Sequence, residues 1–181
     1  IYFDRPAFNP LEFNYNKLFY IDSFSKTLSI TGWRIGYIIT SKDHMKKIRA
    51  IHDYTGLCAP SILQTAIARY LSETGFGKDY IEMIRTKCRA SFRFIMPVMA
   101  ESGFTVSPVQ GGYFVWAKLP SRFPDAFEFA LELYGKTGVA VVPGENFSLT
   151  KTDYVRMNIG TELAVVQEAA ERMKAFFSRG E

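Results

Sequence analysis

The apolar positions of this chain fall into two short strand-like runs followed by a succession of helical stripes. Leu18–Ser23 and Trp33–Thr40 are rich in aromatic and β-branched residues, and each is bounded by polar turn residues. Too few residues separate them for a helical crossover, which predicts antiparallel neighbours. Ser41 is placed to cap a helix from Lys42 to Tyr54, with Met45, Ile48, Ala50 and Ile51 facing inward. Ile62, Leu63, Ala66, Ile67, Tyr70 and Leu71 form a second stripe, closed by Gly75 and Gly77. A third helix runs from Lys78 to Glu101, and Pro97 is expected to kink it or end its regular part.

After Gly103 the pattern changes to short strands alternating with helices. Strands are expected at Phe104–Ser107, within 108–120, at Val139–Gly144 and at Tyr154–Gly160. A helix over Asp125–Tyr134 should bury Phe127, Ala130, Leu131 and Tyr134. The last helix, Thr161–Ser178, should bury Leu163, Val166, Ala170, Met173 and Phe177. The fold class is therefore α/β. The segment 4–17, with Pro6, Asn9, Pro10, Asn14 and Asn16, reads as loop.

Composition narrows the functional classes. Of the 181 residues 48% are hydrophobic and 22% charged, and the net charge is +4, the make-up of an ordinary globular chain. The densest cationic cluster, Lys42, Lys46, Lys47 and Arg49, lies on one helix and reads as a solvated face, so no nucleic-acid partner is expected. No run approaches the ~18 apolar residues of a membrane helix. Cys58 and Cys88 have no metal-like spacing. His44 and His52 lie further apart than the about three or four residues of a helical metal pair. No metal site is expected, and two free thiols fit a cytoplasmic protein.

Candidate chemistry concentrates around Lys26. Ser23 and Ser25 precede it at the end of the first strand, and Arg34 follows within the second apolar run. Gly36, on the same strand face as Arg34, would leave room above the guanidinium. Hydroxyls with a semi-buried arginine suit a phosphate group. An amine beside that site can attack a carbonyl when burial and a neighbouring cation favour its neutral form. Together they suit a phosphorylated aldehyde held as a Schiff base. The bland alternative is a β-hairpin with an ordinary turn lysine and a paired arginine. On the strand 154–160, Val155, Met157 and Ile159 alternate with Tyr154, Arg156 and Asn158, which directs Arg156 away from the core.

Ser23-Phe24-Ser25-Lys26-Thr27 and Thr31-Gly32-Trp33-Arg34-Ile35-Gly36-Tyr37 resemble the cofactor-attachment motif of the class I/II aminotransferases of fold type I, including its lysine-to-arginine spacing. Gly138–Gly144 and Tyr154–Gly160 are similar to two further segments of that family. Pro108–Phe114 resembles a third, with one extra residue. The resemblance implies pyridoxal 5'-phosphate as cofactor, with Lys26 its covalent attachment point and Ser23 and Arg34 on its phosphate. Ser25 lies in the motif without an assigned role. It implies further that Tyr2 donates to the cofactor's phenolic oxygen and that Arg156 binds the substrate carboxylate. The substrates would be an amino acid and a 2-oxo acid, and the assembly a homodimer. A lyase or decarboxylase of the same fold, or a non-catalytic aminotransferase-like sensor module, would keep much of the same pattern.

The chain opens without methionine on the strand-like Ile1-Tyr2-Phe3. With the resemblance, this leads us to expect the C-terminal part of a longer protein, inactive by itself. Residues 1–74 would be the remnant of a large cofactor-binding domain with a mainly parallel sheet. Residues 75–181 would be the linking helix and a small α+β domain. The absent half would carry the aspartate facing the pyridine nitrogen, the asparagine beside the ring and a glycine-rich phosphate turn. No arginine stands at 58–66 to clamp a second substrate carboxylate.

Overall fold

A computed structural model describes residues 2–4, 9–12 and 17–178. Pro6, Asn14 and Asn16 of the expected loop lie outside them. Within that loop, the 3-10 turn Pro10–Glu12 is stabilised by the Asn9 side chain, which accepts from the Leu11 amide at 3.1 Å. The chain divides into two compact units, one of residue 1 and residues 6–83, the other of residues 2–5 and 84–181.

In the first unit β1 (Phe19–Ser23) and β2 (Gly36–Thr40) pair antiparallel, with Asp22 opposite Tyr37 and Ser23 opposite Gly36. The expected pairing is therefore found, but β2 starts three residues later than expected. The residues between the strands form a one-turn helix α1 (Phe24–Thr27) and a 3-10 turn at Thr31–Trp33. Local hydrogen bonds explain this. The Leu28 amide donates to Phe24 O and the Trp33 amide to Ile30 O, and Thr31 Oγ1 donates to Ser25 O. They use backbone groups that a longer strand would have needed for its ladder.

α2 (Lys42–Thr55) begins at Ser41, whose side chain accepts from the His44 amide as a cap. Its expected inner face is only partly covered: Met45 and Ile48 are half-buried, whereas Ala50 and Ile51 are exposed. α3 (Ser61–Glu73) buries Ile67 and leaves Ile62 exposed. A stripe at helical spacing tells which residues can face a core, not whether that core is present.

α4 (Lys78–Glu101) runs through Pro97 without ending there. In the second unit its later turns pack on a four-stranded antiparallel sheet of order β3-β4-β6-β5. The strands are Thr105–Val106, Phe114–Lys118, Tyr154–Asn158 for β6, and the two-residue β5, Val142–Pro143. β5 is shorter than the expected Val139–Gly144. α5 (Ala126–Thr137) and α6 (Leu163–Ser178) complete the unit.

Asp125 caps α5, accepting from the Phe127 and Glu128 amides at 2.9 Å each, and Gly138 closes it in the left-handed conformation. The helix buries Ala126, Phe129 and Leu133, while Phe127, Leu131 and Tyr134 are exposed. Two apolar stripes compete on this helix, and the expectation chose the wrong one. Phe129 wins because Phe104, Phe123, Phe176 and Phe177 surround it, with ring centroids 4.9–6.2 Å away. Val115, Ala117, Val155 and Met157 face this core from the sheet. α6 buries Val166, Ala170, Met173 and Phe177 as expected, but Leu163 is exposed.

Candidate functional site

Ser23, Lys26 and Arg34 belong to the first unit, and Tyr2 and Arg156 to the second. Lys26 is not at the strand end but in α1, three residues past the last residue of β1, and its side chain is exposed. Ser23 is half-buried and Ser25 is buried. Arg34 is not part of a strand. It follows the Thr31–Trp33 turn in the left-handed conformation, φ 57 and ψ 40. Such a backbone is costly for a non-glycine residue; Ser29, Leu57 and Phe76 adopt it too. Its guanidinium is exposed and donates from Nη1 to Thr31 O at 3.1 Å. Among the described residues it has no carboxylate partner.

Gly36 has a different role from the one expected. A Cβ there would lie 2.8 Å from the Asp22 carbonyl oxygen. The glycine is needed for the close pairing of β2 with β1, not for space above Arg34. The pairing in turn fixes both ends of the segment carrying Lys26, and the Phe24 amide donates to Ile35 O at 3.2 Å to close it.

One cluster escaped sequence reasoning. Asp22 Oδ2 accepts from Tyr20 Oη at 3.1 Å and from Tyr37 Oη at 3.4 Å, while Asp22 Oδ1 accepts from the Ser23 amide at 2.7 Å. Burial, reinforced by the Asp22 charge, pushes the Tyr37 phenol up to about 12. A cavity of about 380 Å³ opens beside Ser23, lined also by Asp22, Phe24, Thr27, Tyr37 and Leu71. The available signal was the register: in an antiparallel pair, Asp22 and Tyr37 stand directly opposite.

In the second unit, Tyr2 bridges to Gly111 and the Phe3 amide donates to Gln110 O at 2.9 Å. Arg89 donates to the Phe3 carbonyl oxygen and lies 3.3 Å from Asp4. Arg156 stands on the sheet face opposite the core, as its alternation with Val155 and Met157 implies, and is half-buried. Its guanidinium carbon lies 4.0 Å from the Phe147 ring centroid and 4.3 Å from that of Phe114. Phe114 could have been inferred, since its strand position is diagonal to Arg156. Phe147 comes from a loop.

A serine hydroxyl, an exposed amine and an arginine without an acidic partner, all on one β1–α1–β2 segment, fit a phosphorylated aldehyde such as pyridoxal 5'-phosphate. Among the described residues no group of three or more His, Cys, Asp or Glu could hold a metal ion. No described helix is long and apolar enough to cross a membrane.

The sequence profile of the family Aminotransferase class I and II matches residues 7–173. The chain is 30% identical over 162 residues to the LL-diaminopimelate aminotransferase of Natranaerobius thermophilus, covering 87% of this chain and 40% of that protein. It is 28% identical over 180 residues to the (5-formylfuran-3-yl)methyl phosphate transaminase of Methanocaldococcus jannaschii, covering 98% of this chain and 47% of the relative. The aspartate aminotransferase structure from Thermotoga maritima superposes with a TM-score of 0.77 at 26% identity, covering 90% of this chain and 40% of that one. The chain thus spans less than half the length of these relatives.

Proposed function

Since the chain belongs to the class I and II aminotransferases, we propose that it is the C-terminal part of a pyridoxal-phosphate-dependent enzyme that moves an amino group between an amino acid and a 2-oxo acid. The observation that carries this reading is the grouping of Ser23, Lys26 and Arg34 on one short segment closed by the β1–β2 pairing.

In this reading Arg34 and Ser23 hold the cofactor phosphate, the guanidinium through its N–H edge and the serine through its hydroxyl. Lys26 would hold the cofactor at rest; once the substrate amine has taken its place, the freed Nζ would serve as the base that takes the proton from the substrate α-carbon and returns it on the product side. Pyridoxal phosphate, when bound, supplies the electron sink that makes that proton removable. Tyr2 is assigned the cofactor's phenolic oxygen on the resemblance alone. Arg156 orients the substrate by forking onto its carboxylate.

The relatives named above act on chemically different substrates, so the amino donor is not assigned. We propose that the working enzyme is a homodimer in the cytoplasm. The half of the fold that this chain does not span would complete the cofactor site, so the purified chain by itself should bind the cofactor weakly and show no turnover. The test is product analysis on a protein that joins this chain to the missing half of the fold. An aminated acceptor formed with one equivalent of 2-oxo acid is the expected result. Free ammonia with no aminated acceptor would assign a lyase instead, and turnover by the chain alone would overturn the division of labour.

A further inference from the structure

Arg156 is a half-buried cation whose side chain has neither an acidic partner nor a hydrogen bond among the described residues. A charge withdrawn from water needs compensation. Here the neighbours are aromatic rings, Phe147 at 4.0 Å and Phe114 at 4.3 Å. The faces of phenyl rings attract a guanidinium. A planar cation held against rings keeps its N–H edge for a planar acceptor.

The two rings are anchored differently. Phe114 belongs to β4 and is fixed by the ladder with β6. Phe147 is brought in by the turn after β5. Its amide and that of Ser148 both donate to Gly144 O, at 2.9 and 3.0 Å. Gly144 is buried against β6 and its approach: a Cβ there would meet the carbonyl oxygens of Lys151 and Tyr154. The Phe147 ring is backed edge-on by Trp116 at 5.9 Å, and Trp116 stacks on Tyr154 at 5.3 Å. The Pro143–Gly144 turn therefore delivers one ring to one guanidinium.

We propose that Phe147 is a positioning residue for Arg156, setting the direction in which the guanidinium presents its N–H edge to a substrate carboxylate. This rests on the reading that Arg156 takes that carboxylate. Phe147 acts through the arginine and needs no contact with substrate.

The test uses the protein that joins this chain to the missing half of the fold, labelled with nitrogen-15, with pyruvate as the carboxylate probe and the Arg156 Nε–Hε resonance as the readout, assigned with Arg156→Lys. In the parent the resonance should carry a ring-current shift and move on pyruvate addition. Phe147→Leu should lose the Phe147 share of the ring-current shift, leaving that of Phe114, and weaken pyruvate binding about three- to tenfold. Phe147→Tyr, which keeps the ring face, should retain both. Unchanged backbone resonances of β6 would show that the leucine variant is folded. Equal pyruvate affinity in parent and leucine variant would overturn the positioning role. A parent resonance with its ring-current shift intact that pyruvate does not move would overturn the carboxylate reading of Arg156, and the proposal with it.

Discussion

Gly144→Ala tests whether close backbone approach, rather than sequence habit, requires the Pro143–Gly144 turn. An added Cβ would sit 2.8 Å from Tyr154 O and 3.0 Å from Tyr154 Cβ, and closer still to Lys151 O. Unstrained carbon contacts lie at about 3.5–4.0 Å. The neighbours are main-chain atoms and a Cβ, so no side-chain rotation relieves the clash. The turn must move outward by roughly 1 Å or more, which strains the β5–β6 pairing at Val142↔Arg156 and Pro143↔Val155. Overpacking and a weakened ladder together should cost about 2–4 kcal/mol, a large share of the ~5–15 kcal/mol of a typical domain. Gly135→Ala is the control. Gly135 lies inside α5 and an added Cβ meets nothing within 4 Å, so the same substitution should stabilise by about 0.5 kcal/mol. The assay is urea unfolding followed by Trp116 fluorescence in a Trp33→Phe background, so that only the second unit reports. A Gly144→Ala midpoint within about 0.5 kcal/mol of the parent would refute the steric argument.

Three further outcomes follow from the same structure. Phe129→Ala removes the ring at the centre of the aromatic cluster, where Phe129 is 1% exposed, and should cost about 3–5 kcal/mol in the same urea assay; a loss below ~1 kcal/mol would mean the cluster is not the core. Cys58 should react with a thiol reagent at once while Cys88 waits for unfolding, because Cys88 is buried and burial pushes its thiol up; equal rates would contradict the packing of α4. The Tyr37 phenol is raised in the folded protein to about 12 from 10.0, so its contribution to stability is whole below pH 10.0 and is lost as pH climbs through about 12. Tyrosinate absorbance should show a late titration that Tyr37→Phe removes and Asp22→Asn moves to lower pH; a difference between the parent and Tyr37→Phe centred at pH 10.0 would contradict the cluster.

The parts legible in the sequence were those set by local chemistry. The cap at Ser41, the bounds of α4 and the alternation around Arg156 needed only periodicity and turn residues. Positions decided by competition between surfaces were not legible. On α5 two apolar stripes were available, and the choice depended on phenylalanines from three other stretches of chain. Arg34 sits among apolar neighbours in sequence, yet hydrogen bonds of the Thr31–Trp33 turn hold it outside the strand. For the candidate site, the motif gave the residues in the first unit but not the Asp22–Tyr37 pairing beside them. It gave Arg156 but not Phe147, whose place depends on a turn that passes tightly under β6. The apolar stripes of α2 and α3 were legible, but not that the first unit leaves Ile51 and Ile62 exposed.

The central claim is that Lys26 is the attachment point of the cofactor. The most direct measurement is to add pyridoxal phosphate to the protein that joins this chain to the missing half of the fold, reduce with borohydride and locate the covalent label by peptide mass spectrometry. The account predicts label concentrated on Lys26 above every other lysine, including the exposed Lys42, Lys46 and Lys47 of α2, with selective labelling abolished by Lys26→Arg or by Arg34→Gln. Label spread evenly over the exposed lysines, and unchanged by Arg34→Gln, would contradict it.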